Sequence, residues 1–236
     1  MSQTVTNQQP LPRLLEVIVC TVEDAIAAEN GGAGRLEIIS HFEVGGLTPA
    51  VELVREILNA VAIPARVMLR ENAGFNINAK ELKKLANDAK RFAELGVDGL
   101  VLGFLRDGEI DVEAMNAVLG CAPKMKATFH RAFEQMDDPF KAITVLKNFT
   151  QIDRILTSGR PGEWQRNIEF LKALQQTAQP EIAILVGGGL DAQKLQTLGA
   201  ESTLREFHVG RSARLGEQLD EGVDAEKVSR LLRLLN

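Results

Sequence analysis

The sequence predicts one α/β barrel of the TIM (β/α)8 type, and three observations carry that reading. Eight short apolar segments alternate with helical segments along the 236 residues. Their centres lie roughly 20 to 35 residues apart, as the usual length of a closed barrel requires. Similar joints recur, with Gly31-Gly32-Ala33-Gly34-Arg35, Leu95-Gly96-Val97-Asp98-Gly99 and Leu198-Gly199-Ala200-Glu201 each ending a helix and feeding a strand. Polar residues gather where strands hand over to helices, the end at which such barrels keep their chemistry. An open doubly wound sheet is the other arrangement to weigh. Its first strand-to-helix turn would carry G-x-G-x-x-G, and Val19-Cys20-Thr21-Val22-Glu23-Asp24 has no glycine.

Residues 1–13 are polar and proline-bearing and read as a flexible tail, with the barrel domain over 14–236. Leu14 to Val19 is the first strand, interrupted by Glu16. The helix after it carries Ala25, Ile26 and Ala28 and stops at Gly31-Gly32. Arg35 to Ser40 repeats the pattern, with Glu37 inside the strand, and the next helix begins on Thr48-Pro49. The third strand is Ala65 to Arg70, followed by a helix from about Ala79 to Leu95 that Gly96 stops. The fourth is Asp98 to Gly103, with an acidic loop, R-D-G-E-I-D, behind it.

The fifth strand lies in Lys126 to Phe133, K-A-T-F-H-R-A-F. It alternates until His130-Arg131, and Asp137-Asp138-Pro139 then opens a helix with an acidic cap and proline at its first position. Asp153 to Thr157, Glu181 to Val186 and Arg205 to Val209 complete the barrel, and a helix from about Asp224 to Leu235 closes the chain.

Composition narrows the function. Lys plus Arg is 27 against 32 Asp plus Glu, a net charge of −5, and no basic run stands out. That balance argues against nucleic acid and anionic membrane as partners. No apolar stretch reaches the ~18–20 residues of a membrane span, and the N-terminus has no signal-like core. Cys20 and Cys121 form no C-x-x-C or metal-spaced pair and read as two reduced thiols of a cytoplasmic protein.

The candidate site sits at the strand ends. His41, His130 and His208 fall at or just beyond strands two, five and eight. Glu16, Glu37, Arg66, Arg70, Lys126, His130, Glu206 and His208 share the alternation expected to face inward. Barrel interiors are usually aliphatic, so interior acids need interior bases, and such networks shift pKa values. Glu16 and Glu37 are therefore expected on neighbouring strands, pointing inward, within reach of Arg70 or another inward base. Gly187-Gly188-Gly189 after strand seven and Gly210-Arg211-Ser212 after strand eight lie where barrels often bind phosphate with backbone amides. A tight turn that allows close packing is the alternative reading of the glycines. No metal ligand set is legible, and no cofactor motif appears.

Across Leu15 to Arg211 the chain resembles the CutC family of copper-homeostasis proteins. The segments that carry the likeness are G-A-G-R-L-E-I, E-V-G-G-L-T-P, V-M-L-R, G-V-D-G-L-V-L-G, T-F-H-R-A-F, D-R-I-L-T-S-G, G-G-G and R-E-F-H. The resemblance implies a TIM-like barrel, cytoplasmic and homo-oligomeric. It also implies a pocket on Glu16, Glu37, Glu43, Arg70, His130, Arg131, Ser158, Gly187 to Gly189 and His208. Two departures stand out. Many relatives carry cysteines where this chain has Ile18 and Ile39, and soft Cu(I) prefers sulfur. The family's R-P-R-G-G-D-F after strand three is R-E-N-A-G-F here, which changes the charge at the pocket mouth. The expected function is copper homeostasis, with a copper ion or a small anion as partner. The alternative is an enzyme acting on a small anionic or phosphorylated metabolite at the mouth.

Overall fold

Eight parallel strands close on themselves in a computed structural model that describes residues 13–200 and 203–235. Around the barrel the order is β1 (Leu14–Val19), β2 (Arg35–Ile38), β3 (Ala65–Met68), β4 (Gly99–Leu102), β7 (Lys126–Phe129), β8 (Ile152–Thr157), β9 (Ala183–Val186) and β10 (Glu206–Val209), which pairs back onto β1. Each barrel strand is followed by a helix: α1 (Val22–Asn30), α2 (Val51–Ala60), α3 (Ala79–Leu95), α4 (Val112–Leu119), α5 (Pro139–Leu146), α6 (Trp164–Ala178), α7 (Ala192–Gly199) and α8 (Ala225–Leu235). None of the described helices is long and apolar enough to cross a membrane.

Local chemistry sets most boundaries. The Asn78 side chain accepts from the amides of Lys80 and Glu81 while Glu81 accepts from Asn78, a reciprocal cap that starts α3. Gly96, at φ +81, ends α3 in a left-handed conformation that a Cβ would penalise. Asp138 caps α5, with Pro139 at the first position. The tail expected over 1–13 lies outside the described residues except for Arg13, whose guanidinium donates to the carbonyls of Gly199 and Leu235 at the ends of α7 and α8.

Four expectations are corrected. The fifth strand ends at Phe129, because the His130 ring accepts from the Ala132 amide and opens a 3-10 turn over Arg131–Gln135. Thr48 caps no helix: Ala50 precedes α2, and Thr48 is bonded across to the Arg70 backbone through both its amide and its hydroxyl. The acidic loop after β4 is a small hairpin, β5 (Leu105–Arg106) with β6 (Glu109–Ile110). Its turn, Asp107-Gly108, has both φ values positive, as a tight two-residue hairpin demands. Lys126 shares the inward alternation but lies at the open N-terminal end of the barrel and is exposed.

The apolar core is the layer between strands and helices, with Leu15, Val17, Leu36, Val67, Leu100, Phe129, Ile155, Ile184 and Phe207 buried against the helical ring. The barrel interior is different. It holds a small apolar cluster of Ile18, Ile39, Met68 and Val101 toward the C-terminal mouth, with polar side chains below and beside it.

Candidate functional site

The interior charges form one connected ladder. Register sets Glu16 beside His208 on β10 and beside Arg35 on β2, and sets Glu37 beside Arg66 on β3. Arg35 donates to Glu16 and, at 2.9 Å, to Glu206. Glu206 accepts two bonds from Arg154, at 2.5 and 2.9 Å, and Arg154 in turn contacts Asp153. Arg66 grips Asp153 with two bonds of 2.7 and 2.8 Å, and also donates to Thr128 and Asp98. An unpaired interior charge would cost several kcal/mol, so alternating signs are what make this interior possible.

At the mouth end of the ladder the groups become ambivalent. Glu16 Oε1 lies 2.8 Å from His208 Nδ1, and His208 Nε2 lies 3.6 Å from Glu37 Oε2. Burial pushes the Glu16 carboxyl up, but Arg35 and His208 outweigh it and hold it far below the usual carboxylate range. Glu37 lacks such a partner: burial, opposed by His208 and reinforced by Glu16, pushes it up to about 7. His208 is driven down by burial yet ends raised, because Glu37 and Glu16 favour the imidazolium. Glu37 can therefore gain or lose a proton near neutral pH, beside a histidine whose imidazolium it favours.

A cavity of about 460 Å³ opens over this pair at the C-terminal ends of the strands. Glu37, Glu43, Arg70, His130, Arg131, Glu134, Gly188, Gly189, His208, Gly210, Arg211 and Ser212 line it, together with Ile18, Met68 and Phe75. His130 is buried, its Nδ1 taken by the Ala132 amide at 3.2 Å and its ring 5.2 Å from that of Phe75. Burial, with Arg70 nearby, pushes it down to about 3, so it is a neutral imidazole. Its Nε2 has no hydrogen-bond partner, and the same holds for Glu37 Oε1 and Ser212 Oγ.

The expected site residues separate into those the structure gathers and those it does not. Glu16 and Glu37 do sit on neighbouring strands inside the barrel, but their base is Arg35 with His208. Arg70 is not that base. It lies two residues beyond the end of β3 and donates instead to the carbonyls of Ala73 and Gly74, with those of Val44, Gly45 and Gly46 at 3.4 Å. Burial lowers its pKa, and it stacks 5.0 Å from the Phe75 ring centre. Ser158 does not line the cavity. Its amide and hydroxyl donate to Glu134 Oε1 at 2.6 and 2.8 Å. Gly187 is likewise set apart, because its amide donates to Thr157 within the sheet. Gly188 and Gly189, at φ +87 and +84, turn over the cavity, and a Cβ on Gly188 would meet Ser158 Cβ at 2.7 Å. His41 is exposed and bonded to Ser40, outside the cavity wall.

Two participants escaped the sequence reading. Arg35 lies two residues before Glu37 and so shares its face, a signal that alternation offered. Glu134 holds Arg131 at 2.7 Å and thereby neutralises one of the cavity's cations. The i,i+3 spacing was its only trace in the sequence.

Sulfur is badly placed for a soft metal. Cys20 packs against the Ile18, Ile39, Met68 and Val101 cluster, which brings one thiol and one thioether into the same patch. Burial, with Asp24 and Glu37 adding and Arg214 opposing, pushes the Cys20 thiol up to about 11. The Arg214 guanidinium also lies 3.7 Å from its sulfur, a poor neighbour for a metal cation. Cys121 follows the Gly120 cap of α4 at the opposite end of the barrel. Among the described residues no three His, Cys, Asp or Glu side chains gather as a metal site. These residues do not fit a thiolate copper centre.

A (β/α)8 barrel with an interior ion ladder and an acid–histidine pair under its mouth is the class of protein this chain defines. It belongs to the CutC family, whose model matches residues 13–213. A relative named copper homeostasis protein cutC homolog in Mus musculus is 36% identical over 204 residues, covering 85% of this chain and 75% of that protein. The Homo sapiens homolog of the same name is 35% identical over 197 residues, covering 83% and 72%. The crystal structure of the Streptococcus agalactiae copper homeostasis protein CutC superposes with a TM-score of 0.76 at 31% identity, over 84% of this chain and 98% of that one. Thiamine phosphate pyrophosphorylase from Pyrococcus furiosus, at 12% identity and TM-score 0.60 over 94% and 95%, shares the fold alone.

Proposed function

We propose that this chain shares the copper-homeostasis role its relatives are named for, in the cytoplasm and as a homo-oligomer. We further propose that it works by binding a small anionic, oxygen-bearing ligand in the barrel mouth, without holding copper through sulfur. One observation carries this reading: three buried polar atoms without a hydrogen-bond partner, Glu37 Oε1, His130 Nε2 and Ser212 Oγ, belong to residues of one cavity wall. Buried polar groups are almost always satisfied, so unpartnered atoms gathered on one cavity wall suit a ligand that completes them. Arg211 and the turns at Gly188-Gly189 and Gly210 supply cationic and amide surroundings suited to an anion. Titration with inorganic phosphate, followed at the amides of Gly188, Gly189, Gly210 and Ser212 by NMR, tests it. Saturable shifts are expected, and unmoved amides at millimolar phosphate would sink it.

A second reading, an enzyme acting on a small anionic or phosphorylated metabolite, uses the same mouth. Glu37 favours it, because a buried carboxyl that titrates near 7 is what general acid–base work needs.

A further inference from the structure

Resting on the reading of the mouth as a small-anion site, we propose that the cavity is a proton-transfer site for a small α-hydroxy carbonyl compound bearing an anionic group. Glu37 removes the proton from the carbon beside the carbonyl, and His130 donates from Nε2 to the carbonyl oxygen as charge develops there.

The geometry of His130 points to this. Its Nδ1 accepts from the Ala132 amide, so the single proton of the neutral ring belongs on Nε2. The ring is held in place by Phe75 on one side and the absent Cβ of Gly103 on the other, where a Cβ would stand 2.7 Å from Nδ1. The result is a buried, oriented donor in the cavity wall with nothing to donate to. A neutral imidazole donor fixed by backbone hydrogen bonding suits the polarising of a carbonyl, since it need not lose a full charge to act.

Glu37 supplies the complementary atom. Its Oε1 is a buried acceptor without a donor in the wall of the same cavity. Its other oxygen faces His208, which Glu16 anchors from behind. The carboxylate therefore has one oxygen committed to His208 and one without a protein partner. In the proposed step the proton passes from the substrate carbon to Glu37 Oε1, and the C–H electron pair becomes a carbon–carbon double bond. The carbonyl π pair moves onto oxygen, which accepts the hydrogen bond of His130. Return of a proton, or of a deuteron from D2O, through Glu37 to the same carbon restores the carbonyl without any co-reactant. No lysine is among the residues that line the cavity, so the wall offers no amine for a covalent imine.

The experiment follows deuterium entering dihydroxyacetone phosphate and hydroxypyruvate from D2O by proton NMR, with phosphate binding measured on the same samples. Wild-type protein is expected to accelerate exchange over buffer, and Glu37→Gln to lose about 100-fold or more of that acceleration. Exchange no faster than buffer with both probes, alongside intact phosphate binding, overturns the proton-transfer step and leaves the anion site standing. Loss of phosphate binding in the wild type would sink both. Undiminished exchange in Glu37→Gln removes Glu37 as the base. Nitrogen-15 spectra of His130 give a check that needs no variant to fold. A neutral ring protonated on Nε2 is expected across about pH 5–8, whereas an imidazolium or an Nδ1–H ring there would overturn the assignment of the donor.

Discussion

Glu37 and Cys20 show how one interior gives two titratable residues opposite characters. Glu37 faces His208 from β10, Glu16 from β1 and Arg35 from its own strand, and burial prevails over His208 to leave it raised to about 7. A carboxyl raised on folding contributes stability that is present below its unfolded value and is lost as pH rises through the folded one. Glu37→Gln, which cannot ionise, is therefore expected to be more stable than the parent at pH 8, by about 1–3 kcal/mol, and to lose that advantage near pH 5. Urea melts at the two pH values measure it; an equal effect at both would contradict the shift. Cys20 is half-buried and stays a thiol, while Cys121 is exposed. Iodoacetamide at pH 8 is expected to label Cys121 well before Cys20, as peptide mass spectrometry would show. Faster labelling of Cys20 would mean that its sulfur is an available thiolate after all.

At the scale of elements, the site depends on how strands end. Gly103 follows β4 and lies against the His130 ring that follows β7, so the two ends can approach only without a side chain at 103. Gly103→Ala is expected to cost about 1–3 kcal/mol through this overpacking and to displace the His130 resonances. An unchanged melting temperature and spectrum would show the contact to be slack. The ends of β1 and β2 carry the copper question. Ile18 and Ile39 meet Met68 and Val101 in one apolar patch. The parent is expected to lose Cu(I) readily to a competing chelator. Ile18→Cys with Ile39→Cys, which places two thiols beside Met68, is expected to retain it. Stoichiometric, high-affinity Cu(I) uptake by the parent that survives Cys20→Ser would refute the ligand argument.

For the whole molecule, the ladder from Glu37 to Asp98 binds strands that are distant in sequence. Arg66 on β3 reaches Asp153 on β8, and Arg35 on β2 reaches Glu206 on β10. Arg66→Met would leave Asp153 with Arg154 as its remaining partner and remove the bond to Thr128. Breaking a buried pair from one side costs about 3–5 kcal/mol, whereas phosphate binding at the mouth is expected to persist. Urea denaturation with a phosphate titration separates the two effects.

What the sequence by itself determined was everything governed by near neighbours. Apolar segments placed all eight barrel strands, Gly96 stopped α3, which runs from Ala79 to Leu95 as expected, and the Glu16 and Glu37 placements pointed inward. The family was legible too, since its motifs are short contiguous strings such as T-F-H-R-A-F. What only the tertiary structure decided was which charge meets which. Glu16 takes Arg35 and His208, 19 and 192 residues away, and not Arg70. Ser158 spends its donors on Glu134, and Gly187 spends its amide on the sheet. The physical reason is that barrel closure brings together residues of distant strands, and a one-dimensional pattern tells which way a side chain points but not what faces it across the interior. Alternation says that Arg66 and Lys126 share a direction. What closure sets across from each decides that Arg66 is buried among Asp153, Thr128 and Asp98 while Lys126 stands in water.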